Sequence, residues 1–96
     1  MKPIPCSFTK DGYLHEEIQR VGDVVLYHCS RPDGSCEHWE VVRLRIDPAK
    51  TWSDGRTTEA HEALPSPEQW GVSGWTYSQA SHRDPIQAAH QKAKRL

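Results

Sequence analysis

The stretch Val24-Val25-Leu26-Tyr27-His28-Cys29 is followed by Ser30-Arg31-Pro32-Asp33-Gly34-Ser35 and then by a longer, largely apolar segment over residues 36–46. β-Branched and aromatic residues favour strands, whereas Pro, Asp and Gly in this order favour a tight turn. A further turn pair, Gly22-Asp23, precedes the first strand. The sequence therefore predicts a β-hairpin over residues 24–46.

The return strand of this hairpin changes its apolar phase midway. Trp39 and Val41 are apolar at odd positions, whereas Val42 and Leu44 are apolar at even positions. The two faces of a strand alternate with a period of two residues. The change of phase therefore predicts either a bulge near residues 41–42 or burial of the strand on both faces.

The C-terminal region carries the signals of one helix. Asp84-Pro85 predicts its start, because Asp is a favoured N-cap and Pro is favoured at the first helical position. Ile86, Ala89 and Ala93 recur at steps of three and four residues, which makes one face apolar. A helix of about eleven residues is marginal alone, so we expect this stripe of a helix over about 85–95 to pack on the sheet.

These elements predict a single α+β domain over residues 1–96. Its centre is a small twisted antiparallel sheet of three or four strands around the hairpin, with the C-terminal helix packed on it. Trp75-Thr76-Tyr77 predicts the last strand. Residues 6–22 are poorly periodic, with a turn signal at residues 10–12, and residues 13–21 favour an irregular strand or a short helical turn. Residues 47–67 have almost no periodicity, so we expect a long irregular loop there, of a length that is often functional.

Composition excludes several classes of protein. The chain has 96 residues, of which 35% are hydrophobic, and a formal net charge of −1. Clusters of aromatic and β-branched residues argue against disorder, and no window approaches the roughly 20 apolar residues of a membrane span. Three cysteines do not suit a secreted disulfide framework. We therefore expect a cytoplasmic protein with reduced thiols.

The weak candidates for metal binding are Cys29, Cys36 and His38, which flank the predicted hairpin turn. Cys and His are preferred zinc ligands, and the turn is expected to place Cys29 opposite Cys36. Neighbours on a strand, such as His28 and Cys29, point to opposite faces. At most two of the four side chains of His28, Cys29, Cys36 and His38 should therefore converge, with Cys6 or His61 as a third. Packing of reduced thiols and a Cys29–Cys36 disulfide are the alternatives. The sequence thus predicts neither a resident metal nor another cofactor.

Catalytic motifs are not found in the sequence. There is no Gly-x-Ser-x-Gly turn to expose a nucleophile, and Glu59-Ala60-His61-Glu62 lacks the histidine spacing of a metalloprotease. Gly71 and Gly74 do not form a phosphate-binding loop. We therefore predict no catalytic residues and no enzymatic activity.

A binding surface is the remaining candidate for function. Trp, Tyr and Arg dominate the energetics of interfaces, and the tryptophans exceed what so small a core readily hides. Of these rings, we expect Trp52 and Trp70 to be exposed. The predicted partner-binding residues are Arg43, Arg45, Trp52, Arg56 and Trp70. Stacking of nucleic-acid bases on such rings is a weaker alternative, which the net negative charge disfavours.

The run His38-Trp39-Glu40-Val41-Val42-Arg43-Leu44-Arg45, the segments over residues 65–71 and 74–77 and the helix after them resemble small uncharacterised proteins of phages and prophages. The resemblance covers roughly residues 20–96. It implies an accessory protein of a mobile element, and such proteins, anti-CRISPR proteins among them, commonly occupy a surface of a host complex. We therefore expect a non-enzymatic inhibitor that binds a host protein or ribonucleoprotein complex. A metal- or redox-responsive domain and a nucleic-acid-binding protein are the alternative functions.

Overall fold

The computed structural model describes residues 3–96 and shows an α+β fold. Its elements are β1 (Ser7–Lys10), β2 (Tyr13–Val21), β3 (Val24–Ser30), β4 (His38–Arg43), β5 (Arg45–Asp47), β6 (Lys50–Thr51), β7 (Thr57–Thr58), β8 (His61–Ala63), β9 (Gly74–Tyr77) and the helix α1 (Pro85–Arg95), with a 3-10 turn at Pro67–Gln69. The main sheet is antiparallel and has the order β1-β2-β3-β4-β9. The predicted fold class is confirmed, and the sheet has five strands where three or four were expected.

Of the two alternatives for residues 13–21, the irregular strand is confirmed: β2 spans Tyr13–Val21 and its register shifts between Glu17 and Gln19. Strand β1, which was not predicted, pairs with β2. They are joined at Asp11 and Gly12, whose φ values are 55° and 81°. Two consecutive residues with positive φ are typical of a type I′ turn, which matches the twist of a hairpin. The Asp-Gly pair is therefore a hairpin signal, and it adds two strands to the sheet.

Strand β3 is buried on both faces at the centre of the sheet. Val24 and Leu26 face α1, whereas Val25, Tyr27 and Cys29 face the opposite side. Strand β4 shares this double burial and pairs with β3 without a break in register. The predicted hairpin is confirmed, and double burial rather than a bulge explains the change of apolar phase in its return strand.

Helix α1 packs on the sheet through Ala89, Ala93 and Leu96. The Asp84 side chain caps it by accepting a hydrogen bond from the Gln87 backbone N–H at 3.1 Å, as the sequence indicated. Ile86, expected in the apolar stripe, is 46% exposed. Pro85 is buried instead, four residues before Ala89, so the stripe that faces the sheet begins one residue earlier than the sequence indicated.

Residues 47–67 form short strand pairs where an irregular loop was expected. Strand β5 pairs with β8, and β6 pairs with β7 at the tip. These strands have only two or three residues, too few to produce a detectable alternation of apolar and polar positions. The pair β5–β8 is tied to β2 by an ion pair between Arg20 and Glu62, and Glu62 Oε1 also accepts a hydrogen bond from the Ile4 backbone N–H at 3.1 Å.

The indole of Trp70 lies directly on Gly74 at the edge strand β9. Its Nε1 donates to Thr76 Oγ1 at 2.9 Å, and the Gly71 backbone N–H donates to the Gly74 carbonyl at 2.7 Å. A Cβ atom at position 74 would lie 2.6 Å from the six-membered ring of Trp70. Gly74 is therefore required by the close approach of this ring.

Helix α1 has eleven residues. Within residues 3–96, no helix is long and apolar enough to cross a membrane.

Substitution Gly74→Ala should displace the Trp70 indole and lower the free energy of unfolding by about 1–3 kcal/mol, the usual range for overpacking. Urea unfolding measures this loss. In a Trp70→Leu background the same substitution should cost at least about 0.5 kcal/mol less, because the two sites are coupled. An equal loss in both backgrounds would show that Trp70 does not occupy the space above Gly74.

Candidate functional site

A cavity of about 350 Å³ opens on the face of the main sheet opposite α1. Its floor includes the side chains of His15, His38 and Glu40, and its walls include Tyr13 and Trp70. Cavities of this size hold small ligands when a few polar groups converge in them. This cavity, called the sheet pocket below, is the candidate functional site.

Strand pairing brings four side chains together beneath the sheet pocket. Cys29 on β3 pairs with His15 on β2 and with His38 on β4. Glu40 lies two residues beyond His38 on β4 and pairs with Tyr27. Directly paired residues point to the same face of a sheet, and so do residues two apart on one strand. All four side chains therefore share the face opposite the helix.

A β-bulge in β2 decides which residue stands beside Cys29. The register of β2 against β3 shifts between Glu17 and Gln19, so that Ile18 is the additional residue. Without this shift, the register set by the Gly22-Asp23 turn would place Glu16 opposite Cys29. A one-residue shift moves every later side chain to the other face. The bulge therefore brings His15 into the site.

Three potential ligand atoms converge within this cluster. The donor atoms of His15, Cys29 and Glu40 all lie within 4.8 Å of one another. His15 Nε2 is 3.7 Å from Glu40 Oε1, and the other oxygen of Glu40 is 2.9 Å from His38 Nε2. His15 is 5% exposed and Cys29 is fully buried. The cluster is therefore nearly closed to water on its β3 side and borders the sheet pocket through His15 and Glu40.

Contacts around His15 fix the orientation of its ring. The Phe8 ring stacks on it with centroids 4.9 Å apart and an interplanar angle of 12°. His15 Nδ1 is 3.1 Å from the Tyr13 carbonyl oxygen. A carbonyl only accepts hydrogen bonds, so this contact places a proton on Nδ1 and leaves Nε2 as the ring atom that faces Glu40.

Burial controls the ionisation of the groups under the sheet pocket. Burial, with a further contribution from Glu40, raises the pKa of the Cys29 thiol far above its usual value. Burial also raises the pKa of Tyr27 to about 12. Both groups are therefore protonated at neutral pH in the metal-free protein, because desolvation disfavours the charged forms.

The structure separates the three predicted metal candidates. Cys29 and His38 belong to the cluster, whereas Cys36 is exposed in the loop between β3 and β4, with a φ of 54°. The expected opposition of Cys29 and Cys36 is wrong, because His38 is the residue paired with Cys29. Within residues 3–96 all three cysteines are free thiols. The expected limit of two converging candidates is met by Cys29 and His38. The expected third residue, Cys6 or His61, is wrong, because His15 and Glu40 from the adjacent strands β2 and β4 complete the group.

Sequence reasoning missed His15 and Glu40. Both lie in strands, and the Gly22-Asp23 turn was available to align β2 with β3. That alignment would still have selected Glu16, because nothing in the sequence marks Ile18 as a bulge.

The predicted partner-binding residues lie on several separate elements. Arg43 and Arg45 border one shallow depression, and Arg45 Nε also donates to Asp47 Oδ1 at 3.0 Å. Trp52 belongs to the tip formed by β6 and β7, with Lys50 Nζ 3.8 Å from its ring centroid. Trp70 lines the sheet pocket. The expected exposure of the two tryptophans is confirmed, at 43% for Trp52 and 38% for Trp70.

Comparisons with known proteins found no matching family model, no matching curated protein and no matching solved structure. The resemblance to phage proteins and the binding of a host complex therefore stay predictions.

A thiol reagent such as Ellman's reagent should modify the exposed Cys6 and Cys36 in the native protein, with Cys6 the slower of the two because its hydrogen bond to Glu17 raises the pKa of its thiol. The reagent should modify Cys29 only after unfolding. The physical reason is that Cys29 is fully buried and its thiol is protonated, whereas the thiolate is the reactive form. The Cys29→Ser variant provides the control, since its reagent uptake should be the same in native and unfolded protein. Rapid native modification of all three thiols would contradict the burial of Cys29.

Proposed function

We propose that this protein binds a divalent transition-metal ion, with zinc as the best fit, through His15 Nε2, Cys29 Sγ and a carboxylate oxygen of Glu40. The observation that carries this proposal is the convergence of these three donor atoms within 4.8 Å. Imidazole, thiolate and carboxylate groups are all zinc ligands. Magnesium and calcium prefer sites made of oxygen atoms alone, so the donor set favours zinc.

The spacing of the donor atoms supports a tetrahedral ion. With metal–ligand bonds of about 2.0–2.3 Å, two ligand atoms of a tetrahedral site lie roughly 3.3–3.8 Å apart. His15 Nε2 and Glu40 Oε1 are 3.7 Å apart. This pair therefore needs little rearrangement, and closing the remaining gaps requires only small side-chain movements of Cys29 and Glu40.

Hydrogen bonds behind the ligands give further support. The Tyr13 carbonyl oxygen accepts a hydrogen bond from His15 Nδ1, which leaves Nε2 as the free donor of an electron pair. His38 Nε2 holds the second oxygen of Glu40 at 2.9 Å. Metal-binding histidines and carboxylates are usually oriented in this way by partners behind them.

Titration of chelator-treated, untagged protein with Zn²⁺ or Co²⁺ should give one bound ion per chain. The substitutions His15→Ala, Cys29→Ser and Glu40→Gln should each weaken binding by roughly 100-fold or more, since loss of even a supporting group costs 10–100-fold. Calorimetry measures the affinity, and the Co²⁺ complex should show a thiolate-to-cobalt charge-transfer absorption that the Cys29→Ser variant lacks.

Cys36→Ser is the matched control, because it removes an exposed thiol outside the cluster and should leave the affinity unchanged. Circular dichroism of each variant separates loss of a ligand from loss of the fold. Absence of stoichiometric binding in the wild type would overturn the proposal and leave a His15–Glu40 ion pair as the role of the cluster. Cobalt binding without charge transfer would remove Cys29 from the ligand set.

Docking to a macromolecular partner in the cytoplasm remains a second proposed function. The observation in its favour is Trp52, which is exposed on the tip formed by β6 and β7 between Lys50 and Arg56. Exposed tryptophans beside arginines often anchor interfaces. This surface and the metal cluster lie on different strand pairs, so the two functions do not exclude each other.

A further inference from the structure

We infer that the sheet pocket binds a small monocarboxylate with a planar aromatic group, whose carboxylate takes the open coordination position of the metal ion. This inference rests on the proposed function, since the metal ion supplies the contact to the carboxylate. It names a ligand class for the same site.

The positions of the three ligands determine where the open coordination position points. Cys29 is fully buried beneath the sheet pocket, whereas His15 and Glu40 line its floor. An ion bound by all three therefore lies between the thiolate and the cavity. Three protein ligands leave one position of a tetrahedral ion for water or another ligand, and here that position faces the sheet pocket.

Charge favours a ligand with one negative charge over a ligand with two. A thiolate and a carboxylate neutralise a divalent ion, and His15 contributes no charge as a neutral imidazole. Lys10 and Asp11 lie together beside the pocket and offset each other. A monoanion therefore adds one negative charge to a neutral centre, whereas a dianion such as phosphate would add two close to Asp11.

The walls of the sheet pocket favour a flat apolar group. Trp70 presents its indole there and is held in place from two sides, by its hydrogen bond to Thr76 Oγ1 at 2.9 Å and by contact with Gly74. Pro65 and Pro67 add further apolar wall. Aromatic rings pack well against such a fixed indole. The Thr76 hydroxyl accepts from the indole and keeps its own proton, so it can donate one hydrogen bond inside the pocket.

The cavity is large enough for this class of ligand. Its volume of about 350 Å³ lies at the lower end of the range for small-molecule sites. The same chemistry occurs in a free aromatic acid and in the C-terminal carboxylate of a polypeptide that ends in an aromatic residue. Benzoate represents the first source and N-acetylphenylalanine the second.

The test is titration of the Co²⁺-loaded protein with benzoate while the visible cobalt bands are recorded. Benzoate should perturb these bands in a saturable way. Benzamide has the same shape without the charge and should have no effect, and cyclohexanecarboxylate has the charge without a planar ring and should bind more weakly. Comparison of N-acetylphenylalanine with benzoate shows which of the two sources fits the pocket better.

Trp70→Leu should weaken benzoate binding by about tenfold, the equivalent of one aromatic contact, and Trp70→Phe should restore part of the loss. Trp52→Leu is the matched control, because it removes an exposed tryptophan outside the sheet pocket and should change nothing. If cobalt does not bind, the proposed function fails. If cobalt binds but benzoate leaves its visible bands unchanged, this inference alone is overturned. The same holds if benzoate binds the Trp70→Leu variant and the wild type equally well.

Discussion

The pairing of β3 with β2 and β4 is the constraint on which both the stability and the site depend. Helix α1 covers one face of β3, where Leu26 is buried, and apolar side chains cover Val25 on the other. On this second face, next to the apolar side chains, the polar side chains of His15 and Glu40 lie beside Cys29. One strand thus carries the core on both sides and the base of the candidate site.

Polar groups in this position need partners, because burial without them is costly. The Tyr13 carbonyl oxygen is a hydrogen-bond partner of His15 Nδ1, and His38 Nε2 is a partner of the Glu40 carboxylate. We propose that this set of side chains holds a cation with little rearrangement. The bulge at Ile18 sets the direction of the His15 side chain. Bulges redirect side chains and are common beside functional sites.

The sequence predicted the central hairpin, the last strand and the helix, because their signals are local. The hairpin around β3, the strand β9 and the Asp84 cap of α1 all follow from turn chemistry, β-propensity and helical spacing. The two-residue strands β6 and β7 could not be predicted, since backbone hydrogen bonds rather than an apolar pattern form them. Ile86 was assigned to the wrong face because the alternative stripe begins with a proline, which was read only as a start signal.

The site was only half predictable for a different reason. Cys29 and His38 were identified by residue type, but their true neighbours depend on register across three strands. Register changes by one residue at Ile18, and no local pattern in the sequence marks this position as a bulge. His15 therefore enters the site through a structural irregularity.

The most direct test of the account is the register of β2 against β3, measured as backbone nuclear Overhauser effects in isotopically labelled protein. We expect cross-strand contacts between His15 and Cys29 and between Glu17 and Tyr27. Contacts joining Glu16 to Cys29 would instead show that the bulge is absent. His15 would then point toward the helix face, and the cluster with Glu40 could not form.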